Sequence, residues 1–203
     1  MPDLHAEWAK EVLADPKMAV LDTETTGLRG YVVEISIYDG KAFLLDTLVN
    51  PEAEIEPGAQ RVHGLTAEKL ADAPTFGKIW PALEGILDTR RIVVWNAEFD
   101  SGVIQREALR LADPGREPVI TMPACNWECA MRHYSDWYHG YEDATFVRLN
   151  GGHRAGQDCM ATFDRLRDVP RSCICSWIWK PDPCRFVLQW TAPGCPWHFG
   201  RRA

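Results

Sequence analysis

Residues 18–28 read Met-Ala-Val-Leu-Asp-Thr-Glu-Thr-Thr-Gly-Leu, an apolar run that ends in two carboxylates. The apolar part predicts a short buried strand, and Asp22 and Glu24 follow it two positions apart. Side chains at this spacing on an extended segment point to the same side. Two like charges held together repel unless a cation lies between them, so this stretch predicts a metal-binding edge of a sheet.

The residues that follow predict two more strands joined by a hairpin. Residues 31–38 alternate well enough to form a strand. Asp39 and Gly40 are a tight-turn pair, and residues 41–49 complete the hairpin. We therefore expect the first three strands to form an antiparallel meander in chain order.

Helical patterns precede and follow this meander. A first helix begins after Asp3, with apolar residues at every fourth position. Residues 51–58 predict a loop, and Thr66 and Thr75 then stand where helix N-caps are expected. The helix after Thr75 contains Pro81, which must fall in the first turn or kink the helix.

Strands and helices alternate in the second half of the chain. The predicted elements are a strand at 91–95, a turn at 96–100 into a helix with Val103, Ile104, Ala108 and Leu111 on one face, a strand at 119–122, a helix at 127–134, and a last helix after Gly151 and Gly152 that carries Cys159, Phe163 and Leu166. This order predicts an α/β fold with a mixed sheet, in which parallel strands extend the antiparallel meander and helices flank both faces.

Composition narrows the possible classes of protein. The chain has 203 residues, 46% of them hydrophobic, a net charge of −7 and a pI near 5.4. This content supports a buried core, and the acidic charge disfavours broad electrostatic binding to duplex DNA. No apolar run reaches 18 residues and the N-terminus is polar, so we expect a cytoplasmic protein without a membrane partner. Seven cysteines without a secretory signal indicate reduced thiols.

Three further polar residues stand at predicted helix starts or in the loop before one. Asp100 lies where the turn after the fourth strand opens into a helix, and Asp158 begins the last helix. Carboxylate oxygens in such places suit Mg²⁺ or Mn²⁺, and a pair of these ions serves phosphoryl transfer. His153 precedes Asp158 by five residues, and its pKa near neutrality suits a general base.

Four segments resemble the DEDDh exonucleases, the family of the proofreading subunit of bacterial DNA polymerase III, RNase T and oligoribonuclease. The segments are 21–28 (LDTETTGL), 62–66 (VHGLT), 96–100 (NAEFD) and 153–158 (HRAGQD). The resemblance runs from about Met18 to Asp168 in the family's order. It implies a ribonuclease H-like fold and 3′–5′ exonucleolytic hydrolysis of single-stranded DNA or RNA.

The same resemblance implies a role for each matched residue. Asp22, Glu24 and Asp158 would hold two Mg²⁺ or Mn²⁺ ions, with Asp100 supporting the second ion. His153 would deprotonate the nucleophilic water. The 3′-terminal nucleotide would be bound by six further residues: Thr25, Thr26, Leu28, His63, Asn96 and Phe99.

Several alternatives remain open from sequence alone. The enzyme could degrade short oligoribonucleotides, because nothing in the sequence decides between DNA and RNA. The alternative from another class is a catalytically silent module that binds nucleic-acid ends or associates with a polymerase. A polymerase or another replication or repair protein could be its partner. Aromatic residues could stack on bases or pack in the core; they are Trp95, Trp127, Trp137, Tyr134 and Tyr138.

Composition changes at Pro170. Residues 171–203 contain four of the nine tryptophans, four of the seven cysteines and a net charge of +4, which leaves −11 on residues 1–170. We therefore expect an exonuclease domain over 1–170 and a Cys/Trp/Pro-rich tail over 171–203. The tail either docks on the acidic body or adds a grip on substrate phosphates. Its cysteine spacing, and that of Cys125 and Cys129, fits no common zinc site.

Overall fold

A computed structural model describes residues 4–111, 127–139 and 145–169 of the chain. Seven helices and five strands are formed by these residues. In chain order they are α1 (Leu4–Ala14), β1 (Met18–Thr25), β2 (Val32–Tyr38), β3 (Phe43–Leu48), α2 (Pro57–His63), α3 (Ala67–Leu70), α4 (Phe76–Thr89), β4 (Arg91–Val94), α5 (Ala97–Arg110), β5 (Trp127–Cys129), α6 (Ala130–His139) and α7 (Ala155–Asp168).

The five strands form one mixed sheet in the order β3-β2-β1-β4-β5. The pairs β1–β2 and β2–β3 are antiparallel, and β1–β4 and β4–β5 are parallel. The predicted meander and the predicted mixed α/β sheet flanked by helices are therefore confirmed. Parallel neighbouring strands need a crossover connection, so the chain crosses over between β1 and β4 and again between β4 and β5. The second connection includes α5.

Helices cover both faces of the sheet. Ala19 and Leu21 of β1 join a buried cluster with side chains of α4 and α5. Met18 and Val20 join a second cluster with α1, α6 and α7. Side chains alternate along a strand, so Asp22 and Glu24 continue the side that faces α7. The covered faces hold β1 rigidly beneath the carboxylates that end it.

Two sequence predictions are wrong in detail. Trp127–Cys129 is strand β5, and α6 begins only at Ala130, whereas a helix was expected over 127–134. Pairing with β4 places these three residues in the sheet, which a short run of mixed residues could not reveal. Leu111 lies beyond the end of α5 and is 40% exposed, so it is not part of the buried helix face.

Other expectations have mixed outcomes. Thr66 caps α3 by accepting a hydrogen bond from the Lys69 backbone amide at 3.4 Å, while Thr75 precedes α4 without a side-chain cap. Pro81 lies inside α4, beyond its first turn. The predicted strand at 119–122 lies outside the described residues. Within the ranges that are described, the helices are too short or too polar to span a bilayer.

Candidate active site

Four carboxylates converge where strand ends and helix starts meet. Asp22 and Glu24 lie on the last half of β1, Asp100 lies in the first turn of α5, and Asp158 lies in the first turn of α7. Because β1 and β4 are parallel, their carboxyl ends share one edge of the sheet, and α5 starts there directly after β4. The fold thus gathers residues separated by more than 130 positions of sequence.

Glu24, Asp158 and His153 have the spacing of a metal site. One potential ligand atom from each lies within 4.8 Å of the others. Carboxylate oxygens suit a hard divalent ion such as Mg²⁺ or Mn²⁺, whereas an imidazole nitrogen is a poorer ligand for Mg²⁺. Of the side chains in the described ranges, this is the one group with such spacing, and no cysteine belongs to it. Two carboxylates of this group could therefore bind a divalent ion, with His153 beside them.

Crowding and burial disturb the protonation of these carboxylates. Burial raises the pKa of Asp22 well above its usual range, and the nearby charges of Asp100 and Asp158 raise it further. Burial, followed by the charge of Asp158, raises the pKa of Glu24 to about 8. Carboxylates that resist ionisation beside one another are poised for a cation, because a bound cation favours their charged forms.

Asp100 is fully buried in the first turn of α5. Burial raises its pKa to about 7, and the Thr23 hydroxyl opposes this effect by donating a hydrogen bond to Oδ1 at 2.8 Å. The hydroxyl lies on the opposite side of β1 from Asp22 and Glu24. Thr23 therefore orients the carboxylate and favours its charged form.

The loop before α7 fits closely around Asp158. Its carboxylate accepts a hydrogen bond from the Gly152 backbone amide at 2.7 Å. A Cβ atom on Gly151 would lie 1.7 Å from Asp158 Oδ1, so only glycine fits there without displacing the carboxylate. Burial raises the pKa of Asp158, while the Gly152 amide and the charge of His153 lower it. His153 is exposed and has a φ of +53°, a backbone conformation that few non-glycine residues adopt.

The end of β1 and the loop after it carry three of the expected nucleotide-binding residues, which differ in their exposure to solvent. Leu28 is 83% exposed. Thr25 and Thr26 are buried and structure the loop. Thr25 Oγ1 donates to the Gly27 carbonyl at 2.9 Å, and Thr26 Oγ1 accepts from the Tyr31 amide at 2.9 Å.

His63 closes α2 beside this loop. The side chain is buried, and its Nδ1 accepts a hydrogen bond from the Leu65 amide at 3.0 Å. Burial lowers its pKa, and an interaction with the Thr25 backbone opposes the shift. His63 is therefore tied to the loop that carries Thr25, although it is not openly presented to a ligand.

The two remaining expected binding residues lie at the start of α5. Asn96 is the exposed N-cap residue, without a side-chain cap, so its amide is accessible. Phe99 is partly buried and packs against the core. The structure thus brings both to the helix start that carries Asp100, with Asn96 free to face solvent.

The sequence alone did not identify Glu34 or the role of Arg154. Glu34 is only 5% exposed, lies directly opposite Glu24 in the β1–β2 register, and pairs with Arg154. A single charged residue in an alternating strand looks like a solvent-facing position, and so gave no signal. Arg154 stands inside the matched segment 153–158, which pointed to the neighbourhood without revealing its partner.

The aromatic residues mostly pack inside the protein. Trp95 and Tyr134 are buried, and Trp127 and Trp137 pack against the two core clusters. Tyr138 is half exposed. Cys129 lies in β5, and Cys125 falls outside the described residues.

Comparisons with known proteins show which family the chain resembles. Residues 19–166 match the family model RNase T, described as an exonuclease. An exonuclease of Escherichia phage 186 is 37% identical over 172 residues, which cover 76% of this chain and 88% of the phage protein. The DNA polymerase III subunit epsilon of Buchnera aphidicola is 31% identical over 106 residues, 45% of each chain.

One solved exonuclease structure is also similar to this chain. Exonuclease X in complex with 5′ overhanging duplex DNA aligns with a TM-score of 0.51 and 25% sequence identity. The alignment covers 74% of this chain and 89% of that one. The region aligned therefore includes nearly the whole of the solved exonuclease.

Proposed function

Since this chain belongs to the RNase T exonuclease family, we propose that it removes nucleotides from single-stranded 3′ ends by metal-dependent hydrolysis. The observation that carries the proposal is the grouping of Glu24, His153 and Asp158 within 4.8 Å, next to the buried Asp22 and Asp100. A silent binding module has no need to collect so many titratable groups, because burying them together costs stability.

Asp22, Glu24, Asp100 and Asp158 would hold two Mg²⁺ or Mn²⁺ ions. Such a pair of ions stabilises the attacking and leaving oxygens of a phosphoryl transfer. The protein's own contribution is a rigid set of oxygen ligands on β1, α5 and α7. Thr23 and the Gly152 amide support this set by fixing the carboxylates of Asp100 and Asp158.

His153 would act as the general base. A water molecule would attack the terminal phosphorus and lose a proton to an imidazole nitrogen of His153. The bond from this phosphorus to the 3′ oxygen of the preceding nucleotide would break, and that oxygen would take a proton from solvent. The exposed position of His153 leaves its ring accessible to water and substrate, and its proximity to Glu24 and Asp158 directs it to the reacting phosphate.

The nucleotide would lie between the loop after β1 and the start of α5. Leu28 offers an exposed apolar side chain for contact with a base, and Asn96 offers an accessible amide. Thr25, Thr26, His63 and Phe99 would shape the pocket from behind, since each is buried or partly buried. This division assigns direct contact to the exposed residues and loop shape to the buried ones.

We propose DNA as the first substrate to test, with RNA as the second. The solved relative is in complex with 5′ overhanging duplex DNA, which supports DNA as the type of nucleic acid. The epsilon subunit of a DNA polymerase supports association with a replication or repair partner. The match covers 45% of that subunit.

We also propose that residues 1–170 form the exonuclease domain and 171–203 a separate tail in a cytoplasmic protein. The family match ends at residue 166, in support of this boundary. A truncation after Pro170, which keeps the buried Val169, tests it. Retained folding and turnover are expected, whereas unfolding would show that the tail belongs to the core.

The direct test uses DNA and RNA strands of identical sequence, labelled at the 5′ end. With Mg²⁺ or Mn²⁺ we expect a ladder that shortens from the 3′ end, and with EDTA we expect none. A strand whose 3′ hydroxyl is replaced by an inert spacer is the matched control for directionality. Cleavage of RNA alone would favour the ribonuclease alternative, and metal-dependent binding of ends without cleavage would favour the silent module.

A further inference from the structure

Glu34 is a buried carboxylate that the proposed chemistry does not use. It lies in the middle of β2, where every residue from Val32 to Ile37 is buried, and it pairs directly across from Glu24. Directly paired residues on adjacent strands project to the same side of the sheet. Its charge raises the pKa of Glu24, after the larger effects of burial and Asp158. An extra negative charge at this place therefore works against the acidic cluster, unless it has another task.

That task is visible in its contacts with the start of α7. Arg154 Nη2 donates to Glu34 Oε1 at 2.6 Å, and Arg154 Nε donates to Oε2 at 2.9 Å. The Ala155 backbone amide donates to the same Oε2 at 3.1 Å. Glu34 thus receives a two-pronged guanidinium and the first amide of a helix, a geometry that fixes orientation as well as distance.

The segment anchored by these contacts carries two proposed site residues. His153 immediately precedes Arg154, and Asp158 lies one turn into α7. His153 and Asn150 both have left-handed backbone angles, with φ values of +53° and +55°. Non-glycine residues keep this conformation only where their surroundings enforce it. Arg154 supplies such a restraint on one side of His153, and the bond from Gly152 to Asp158 supplies one on the other.

We propose that Glu34 and Arg154 are a positioning pair that holds His153 against the reacting phosphate. The inference rests on the proposed function, because it assigns His153 the role of base. In this role Glu34 and Arg154 need no contact with the substrate. They act by clamping the loop and the start of α7 to β2, the strand that pairs with the one carrying Asp22 and Glu24.

The proposal is tested by a double-mutant cycle between Arg154 and His153, with turnover measured on a 5′-labelled DNA strand in saturating Mg²⁺. We expect Arg154→Ala to lower kcat by about 10- to 100-fold with KM nearly unchanged. His153→Ala should lower kcat by about 10² to 10⁴-fold. The double variant should be no slower than His153→Ala, because the loss of a positioning contact has no further effect on kcat once the base itself has been removed.

Matched variants separate positioning from general stability. Arg167→Ala removes an exposed ion pair with Asp164 at the far end of the same helix, and should leave kcat unchanged. Arg154→Lys keeps the charge but not the two-pronged contact, and should restore only part of the turnover. If Arg154→Ala does not fold, the cycle is run with Arg154→Lys or Glu34→Gln. Hydrogen exchange at residues 151–155 should accelerate in the Arg154 variants and not in Arg167→Ala.

The possible failures are distinct. Losses that multiply in the double variant, or a normal kcat in every variant of Arg154 and Glu34, would overturn the positioning pair while leaving the base in place. A fully active His153→Ala protein would instead overturn the histidine assignment, and with it the reason for the pair.

Discussion

The hydroxyl of Thr23 donates a hydrogen bond to Asp100 Oδ1 at 2.8 Å and joins the end of β1 to the first turn of α5. Both residues are buried, and the pKa of Asp100 lies at about 7 because the desolvation of its carboxylate outweighs this hydrogen bond. A small change at Thr23 should therefore move the ionisation of Asp100 within the pH range where an enzyme works.

Thr23→Val should make the enzyme more sensitive to acid. A hydrogen bond to a charged group contributes about 1.5–3 kcal/mol, and one pKa unit corresponds to about 1.4 kcal/mol. We expect the acidic limb of kcat/KM to move upward by about one pH unit in subsaturating Mg²⁺, with recovery near pH 9. Thr47→Val on β3 is the control, since its hydroxyl bonds only to the Leu48 carbonyl. Superimposable pH profiles would show that Thr23 does not govern Asp100.

The metal-free protein should become less stable as pH rises. Folding raises the pKa of Glu24 to about 8 and that of Asp100 to about 7, so the folded state binds more protons than the unfolded state above about pH 4. Their stabilisation is complete below pH 4 and disappears as pH rises through 7 to 8. In EDTA the Tm should fall over this range, and Mg²⁺ or Mn²⁺ should raise it by on the order of 5 °C at pH 8 and less at pH 5.

Asp22→Asn provides the mutational form of the same prediction. Removing one of the crowded charges should raise the Tm of the metal-free protein at pH 8. Asp164→Asn is the control, because its carboxylate is exposed on α7 and lies away from the cluster. A Tm of Asp22→Asn that is lower than wild type at pH 8 would contradict the proposed repulsion.

Gly151→Ala should disable the site with little effect on the fold. The new Cβ would lie 1.7 Å from Asp158 Oδ1, and the carboxylate is the group free to move. We expect kcat to fall by at least about tenfold, since displacements near 1 Å carry costs of this size or more. Gly85→Ala on the exposed side of α4 has open space around the new methyl group and should keep full turnover. Equal kcat values for the two variants would refute the close fit at Gly151.

The sequence predicted the parts of the fold that depend on local patterns. The meander, α1, α5 and α7 have clear periodicities or turn residues, and the strand at 91–94 is a continuous β-rich run. Strand β5 was missed because Trp127–Cys129 is too short to show a period, and pairing with β4 alone makes it a strand. A tertiary contact decided the structure there.

The candidate site shows the same division. The five acidic and histidine residues stood in ordered motifs, so they could be selected before any contact was known. Glu34 could not, because its importance depends on Arg154, which is 120 residues away. The burial of His63 and Thr25 depends on tertiary packing and was not visible in the sequence.

His133 should make the protein sensitive to acid in a second place. Burial, and then the nearby charge of His5, lower the pKa of His133 to about 4, while Glu128 and Asp136 favour its charged form. Its stabilising contribution is present above its unfolded pKa of about 6.5, and is lost as pH falls towards 4. The rings of His133 and Trp8 are stacked, with 3.7 Å between their centroids. His133→Phe keeps an aromatic ring at this position.

The difference in stability between His133→Phe and wild type should therefore change with pH. The free energy of unfolding of His133→Phe, measured in urea, should improve relative to wild type by about 1 kcal/mol between pH 7 and pH 5. A difference between the two proteins that stays constant over this range would contradict the shifted ionisation of His133.

The proposed mechanism requires the carboxylates at the end of β1 to bind the ions that catalyse hydrolysis. The most direct test is the initial rate of nucleotide release from a 5′-labelled DNA strand in saturating Mg²⁺, for wild type and Asp22→Asn side by side. A nearly isosteric amide keeps the shape of the site but removes a charge, and we expect a loss of at least about 10³-fold in a protein that remains folded. Equal rates for the two proteins would contradict the assignment of this cluster as the catalytic metal site.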